Sequence, residues 1–209
     1  MKNQKFTVNI GYCQGVIQGN VFRQKNSVAK FNVAVRSDRK NPKTNKKEVH
    51  VLNFTMYGEA AESLHLLCGD RDRVFVAYHL ESKVKVNRKT GIGECVEEYV
   101  ADSVIVRNIG ENDRLPTLNR GYLECEFLDI TEMYNATGIY VLNVRAEDKI
   151  NGNRMFTSFV IYSTIGDKIR GYYKKGRRIM VEYKIEKSKR ELPDGRNEFY
   201  TNRVVERIS

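Results

Sequence analysis

Closely spaced cations are the only side chains in this chain whose types and spacing point to chemistry. Arg36, Arg39, Lys40, Lys43, Lys46 and Lys47 crowd one short stretch, and Lys83, Lys85, Arg88 and Lys89 another that turns near Gly91. Lys184, Lys187, Lys189 and Arg190 precede the turn Pro193-Asp194-Gly195, with Arg196 just after it. Ammonium and guanidinium groups set this close together neutralise the phosphates of a polyanion, although basic hairpins also serve as strand edges that resist self-pairing. Other chemistry has no residues to carry it. The cysteines (Cys13, Cys68, Cys95, Cys125) show no CxxC spacing and His50, His65 and His79 are scattered, so reduced structural thiols are expected in place of a metal site. No triad, paired carboxylates in a glycine-defined turn or P-loop is present, and Gly91-Ile92-Gly93 is not followed by the helix a dinucleotide site needs. A protein with no cofactor, no small-molecule substrate and no catalytic activity is expected.

The whole chain agrees with that bias. Its 209 residues carry a formal charge of +10, with 41% hydrophobic and 30% charged residues. That charge favours a polyanionic partner, and the composition is too charged for a membrane span. The alternation Phe6, Val8, Ile10, Tyr12 begins almost at Met1, leaving no room for a charged-then-apolar leader, so a cytoplasmic protein is expected.

The cations must be held by strands. Phe6 to Tyr12, Ala29 to Val35, Val49 to Tyr57, Val74 to Leu80 and Val96 to Val106 alternate or run apolar and are rich in Val, Phe and Tyr. Between the third and fourth, Ala60, Ala61, Leu64, Leu67 and Cys68 fall at helical spacing. The same order returns further on: Leu123 to Phe127, Tyr140 to Val144, Phe156 to Tyr162, a helix-like Ile165, Ile169, Tyr172 and Tyr173, then Ile179 to Ile185 and Phe199 to Ile208. The repeat is close to literal. Phe54, Met56, Tyr57, Val74, Val76, Tyr78, Leu80 and Glu81 recur as Phe159, Ile161, Tyr162, Ile179, Val181, Tyr183, Ile185 and Glu186, always 105 positions on. A repeat of that length is a small domain written twice. Three strands, a helix and two strands is the order of an OB-fold, so the expectation is an all-β chain of two tandem five-stranded OB-fold barrels with one helix each: residues 1–108, a polar turn-prone linker at 109–119, and residues 120–209.

These residues resemble the bacterial and phage-type single-stranded DNA-binding proteins. Phe31-Asn32-Val33-Ala34-Val35 is similar to the family's second strand, Phe54 to Glu62 to its third strand, aromatic-glycine turn and helix start, and Val100 to Val104 to its last strand. The second copy keeps Phe159 to Tyr162, the Lys175-Gly176 turn and Val204-Val205-Glu206. The family stacks bases on aromatic side chains. Carried over position by position, the resemblance implies Tyr57 in the first copy and Phe156 and Tyr162 in the second, each with a core-packing role as the alternative. It also implies four OB-folds per working unit, hence a homodimer, or a DNA-dependent filament. Departures from the family pattern are that other stacking positions hold Val51, Val86 and Arg190, that Tyr78 and Tyr183 stand where a glycine is usual, and that no acidic Phe-ended tail follows Ser209. The function expected is sequence-tolerant single-stranded DNA binding and protection in the replication or recombination of a phage or plasmid. The alternatives are an OB-fold interaction module, such as a recombination or primosome mediator, and an RNA binder.

Overall fold

Val, Ile, Phe and Tyr at alternate positions bury one side of a pleated strand and leave the other wet, and that pattern builds most of this molecule. The computed structural model describes residues 8–24, 27–40, 44–86, 91–107, 118–133, 138–147, 154–192 and 194–209. It divides into two units, Ile10–Asn119 and Arg120–Ser209, with Asn9 counted in the second.

In the first unit β1 (Asn9–Ile17), β3 (Val28–Lys40), β4 (Lys47–Tyr57), β5 (Arg73–Val86) and β6 (Gly93–Arg107) are joined by a short β2 (Phe22–Gln24), with α1 (Glu59–Leu67) between β4 and β5. β1 pairs antiparallel with both β3 and β5, β3 with β4 and β5 with β6, and β4 runs parallel to β6 at Phe54↔Tyr99. Those pairings close a five-stranded barrel in OB-fold order. β2, three residues without alternation, hairpins onto β3 and was not foreseen in the sequence.

The second unit repeats the circuit with β7 (Leu118–Glu132), β8 (Ile139–Glu147), β9 (Arg154–Tyr162), α2 (Ser163–Arg170), β10 (Arg178–Glu191) and β11 (Asn197–Ile208). β7 pairs with β8 and β10, β8 with β9, β10 with β11, and β9 runs parallel to β11 at Val204↔Val160. The expected linker residues Leu118 and Asn119 open β7, and residues 109–117 lie outside the described part.

The two interiors match in detail. Phe54 packs on Tyr78 at 5.3 Å and 55°, and Phe159 on Tyr183 at 5.1 Å and 56°. Each tyrosine lies over a glycine of the first strand, Gly11 or Gly121, where an added Cβ would come within 2.2 Å of a ring carbon. This explains the tyrosines in strand four: ring and missing side chain are opposite each other in register, Gly11↔Tyr78 and Tyr183↔Gly121. A bulge falls beside each, at Ala77/Tyr78 and Glu182/Tyr183.

The helices depart from the sequence pattern. Ala61, Leu64 and Cys68 face inward, but Ala60 and Leu67 do not, Leu67 being 66% exposed; five residues span too wide an arc for one face of a nine-residue helix. α2 stops at Arg170 with Gly171 as its cap, so Tyr172 and Tyr173 lie beyond it.

Candidate nucleic-acid interface

In the first unit β4 ends at Tyr57, and Gly58, at φ 79°, turns the chain into α1. A left-handed φ there favours glycine, so the turn follows the aromatic directly. Tyr57 is 41% exposed while Phe54, Thr55 and Met56 are all buried, so of these four side chains only Tyr57 is open to solvent. The ring is tethered. Lys83 Nζ donates to Tyr57 Oη at 2.8 Å and stands 4.2 Å from the ring centroid, while Tyr57 Oη donates to Glu98 Oε2 at 2.9 Å. Lys83 also pairs with Glu81 at 2.8 Å, and Lys85 with Glu98 at 2.7 Å. Burial alone would lower the Lys83 ammonium, but hydrogen bonds to Glu81 and Tyr57 outweigh it and hold the group above its ordinary value. Glu98 is the mirror case: burial pushes it up, and Lys85 and Tyr57 pull it below the ordinary carboxylate range. Two lysines expected to face phosphate are thus held by carboxylates of the same barrel. Deeper in the sheet, buried His79 faces Asp102 at 2.9 Å and Glu81 at 3.0 Å.

The second unit presents a different surface. β9 buries Met155, Thr157, Phe159 and Ile161 and turns Phe156 (58% exposed), Ser158 and Tyr162 (36%) outward. On β8 the residues opposite are Arg145, Asn143 and Ile139. Arg145 pairs with Glu126, and Asn143 Nδ2 donates to Asp129 Oδ1 at 2.7 Å. The exposed Phe156 ring, with an amide and a hydroxyl side chain further along, is a surface on which a base can stack, and the guanidinium beside it is held by Glu126. Arg145 and Asn143 were missed in the sequence because only the β8–β9 register brings them to Phe156 and Ser158. Phe199 and Tyr200 on β11, read there only as strand residues, are also exposed.

The remaining expected cations fall as follows. Arg36 and Lys40 are exposed on β3, Lys46 and Lys47 are exposed at the start of β4, and the ladder sets Lys40 directly across from Lys47. Like charges so placed repel unless an anion lies between them. Lys187 lies on β10 opposite Thr201, its ammonium lowered by burial. Arg196 is held by Asp194, with Nη2 at 2.6 Å from Oδ2. Lys43, Arg88 and Lys89 lie outside the described residues, as do the side chains of Arg39, Lys189 and Arg190. Among the described residues no group of three His, Cys, Asp or Glu is placed to hold a metal, and no helix is long and apolar enough to cross a membrane. Cys13, Cys68 and Cys125 are free and buried, and burial pushes the Cys125 thiol up to about 12, so it stays protonated.

Two closed barrels with outward aromatics and cations define an all-β protein of tandem OB-folds. Solved structures have this architecture: the wild-type single-stranded DNA-binding protein of Thermus aquaticus is 15% identical, with 99% of this chain and 93% of that one aligned at a TM-score of 0.71. A deletion mutant of the same protein is 14% identical over 98% and 94% of the two chains, again at 0.71. The fold that the family resemblance implied is therefore the fold found. No family model matches the sequence, and no curated protein does.

Proposed function

We propose that this protein binds single-stranded DNA with little regard for sequence and catalyses nothing. The observation that carries this reading is the β8–β9 face of the second barrel, where Phe156 and Tyr162 stand exposed with Arg145 beside Phe156. Every base has a π-face, so stacking of this kind is sequence-tolerant, while phosphates are met by cations such as the opposed Lys40 and Lys47. The structural neighbours, single-stranded DNA-binding proteins by description, support the same reading. A cytoplasmic role in the replication or recombination of a phage or plasmid accords with it. Two barrels per chain make a homodimer the economical assembly, with a filament on DNA as the other route.

Titration of labelled oligo-dT, oligo-U and duplex DNA at several salt concentrations tests the proposal. Oligo-dT is expected to bind best, with log affinity falling against log salt by about 0.7 for each phosphate neutralised. Equal affinity for duplex, or an affinity indifferent to salt, overturns it, and a clear preference for oligo-U moves the function to RNA. Light scattering that shows a stable monomer both free and DNA-bound overturns the dimer.

A further inference from the structure

From the last turn of α2 to the first residue of β10 the chain reads Lys168-Ile169-Arg170-Gly171-Tyr172-Tyr173-Lys174-Lys175-Gly176-Arg177-Arg178, six cations with no carboxylate among them. Tyr172 and Tyr173 meet edge to face at 5.2 Å, and the Arg177 guanidinium lies 5.5 Å and 5.0 Å from their ring centroids. Tyr172 is 67% exposed. The tyrosines line a cavity of about 350 Å³ with Ile165, Lys168, Ile169 and Ile208. An aromatic pair over an apolar hollow, ringed by cations, is a setting for a base with phosphates on either side.

The first copy lacks all of this. Shifting by 105 positions, Tyr172 falls on Leu67, Lys175 on Asp70 and Arg177 on Asp72. Those aspartates serve the fold: Asp70 accepts from the Gly19 N–H at 2.7 Å and Asp72 from the Gly69 N–H at 2.8 Å. In the second copy lysine and arginine replace them, and neither can accept such a bond. The exchange turns a neutral structural turn into a strongly positive one with an aromatic face.

We infer that the Tyr172–Arg177 segment is a second single-stranded nucleic-acid subsite of the second barrel, which rests on the proposed function and extends its contact beyond Phe156 and Tyr162. One base lies against Tyr172 and its neighbouring phosphates meet Lys168, Lys174 and Lys175. α2 is eight residues long. At 1.5 Å per residue the segment begins roughly 12 Å along the helix from Tyr162, within reach of the same bound strand.

The test uses the full chain and fluorescein-labelled oligo-dT. Tyr172→Ala is expected to weaken binding roughly tenfold with an unchanged melting temperature, and Tyr172→Phe to bind as wild type. Lys174→Ala with Lys175→Ala is expected to reduce the salt slope by about 0.7 per lysine. An oligonucleotide carrying 5-iodouracil is expected, on irradiation, to cross-link to Tyr172 or Tyr173. Wild type that binds oligo-dT while both variants match it and no cross-link forms there overturns the subsite alone. Wild type that binds no single strand overturns the proposed function instead. Polyglutamate displacing oligo-dT at equal charge, with Tyr172→Ala neutral, shows a general polyanion patch and overturns the base contact.

Discussion

The two barrels are alike inside and unlike outside. Both pair a strand-four tyrosine with a strand-one glycine, and both set a nitrogen-bearing side chain between two carboxylates: the His79 ring between Glu81 and Asp102 in the first, Lys184 between Glu186 at 3.1 Å and Glu206 at 3.3 Å in the second. The register makes these equivalent, since Asp102 lies two residues past Val100, the partner of His79, and Glu206 two past Val204, the partner of Lys184. On the outer faces the likeness ends. Ala34 faces Val51 in the first barrel where Arg145 faces Phe156 in the second, and Tyr57 is tied to Lys83 and Glu98. Packing at close distance constrains a core position to a narrow set of side chains, whereas an outward position carries no such demand. Any difference in what the barrels do therefore has to be read from outward residues, and on the proposed function the exposed Phe156 gives the second barrel the more open aromatic face.

The largest effect tests the shared interior. Gly11→Ala and Gly121→Ala each drive a methyl group against a buried tyrosine ring, an overpacking that costs about 1–3 kcal/mol or more. Urea denaturation should show comparable losses for the two variants. If one leaves the unfolding midpoint unmoved, the two interiors are not equivalent and the comparison fails at its base.

Next comes the difference in stacking. Phe156→Ala and Tyr162→Ala should each weaken oligo-dT binding by ~1–3 kcal/mol with the salt slope nearly unchanged. Tyr57→Ala should weaken it less than Phe156→Ala, because the Tyr57 hydroxyl and ring face are engaged by Lys83 and Glu98. A larger loss at Tyr57 than at Phe156 reverses the ranking of the barrels. Should the aromatic variants instead lower the melting temperature by many degrees and bind normally, they belong to the core.

A third effect concerns the lysines that the first barrel keeps to itself. Glu98→Gln removes the charge that holds Lys85, so Lys85 becomes available to phosphate, while Lys83 stays paired with Glu81. The expected outcome is tighter oligo-dT binding with a salt slope steeper by about 0.7 for each new contact. An unchanged slope means that Lys85 does not lie on the nucleic-acid path.

Much of the fold was legible because strand alternation and the 105-residue repeat survive any surface change: Phe54 to Glu81 and Phe159 to Glu186 mark the third strand, helix and fourth strand of each barrel. Local pattern failed where length or register decides. Phe22–Gln24 is too short to alternate, Thr55 is buried on a side that alternation assigned to Tyr57, and α1 buries a narrower stripe than its apolar residues offer. The site was less legible. That Lys83 and Lys85 stand on the same side as Glu81 follows from their spacing of two, but their capture by Glu98 depends on the pairing Glu81↔Glu98 across a ladder whose register shifts at a bulge. Charge counts place cations on a segment; they do not reveal which carboxylate already holds them.

The smallest effect is the pH response of that capture. Glu98 is lowered in the folded chain from an ordinary 4.5, so its contribution to stability is complete above that value and is lost as pH falls through the lower folded one. Lys83 is raised from an ordinary 10.5, so its contribution is complete below that value and is lost as pH rises through the folded one. The pairing around Tyr57 should therefore give a plateau between those two ordinary values with a decline on either side. Lys187 in the second barrel has the opposite sign: its ammonium is lowered by burial, so stability rises as pH climbs from its folded value toward 10.5. Melting temperatures of wild type and Glu98→Gln across the acid range check this, because the variant lacks the carboxylate that titrates. Both groups are partly exposed and screened by solvent, so the difference between the two curves should amount to a few degrees at most. Parallel acid limbs for the two proteins would mean that Glu98 titrates alike folded and unfolded, and that the contacts tying Tyr57 in the first barrel are too weak to set it apart from the second.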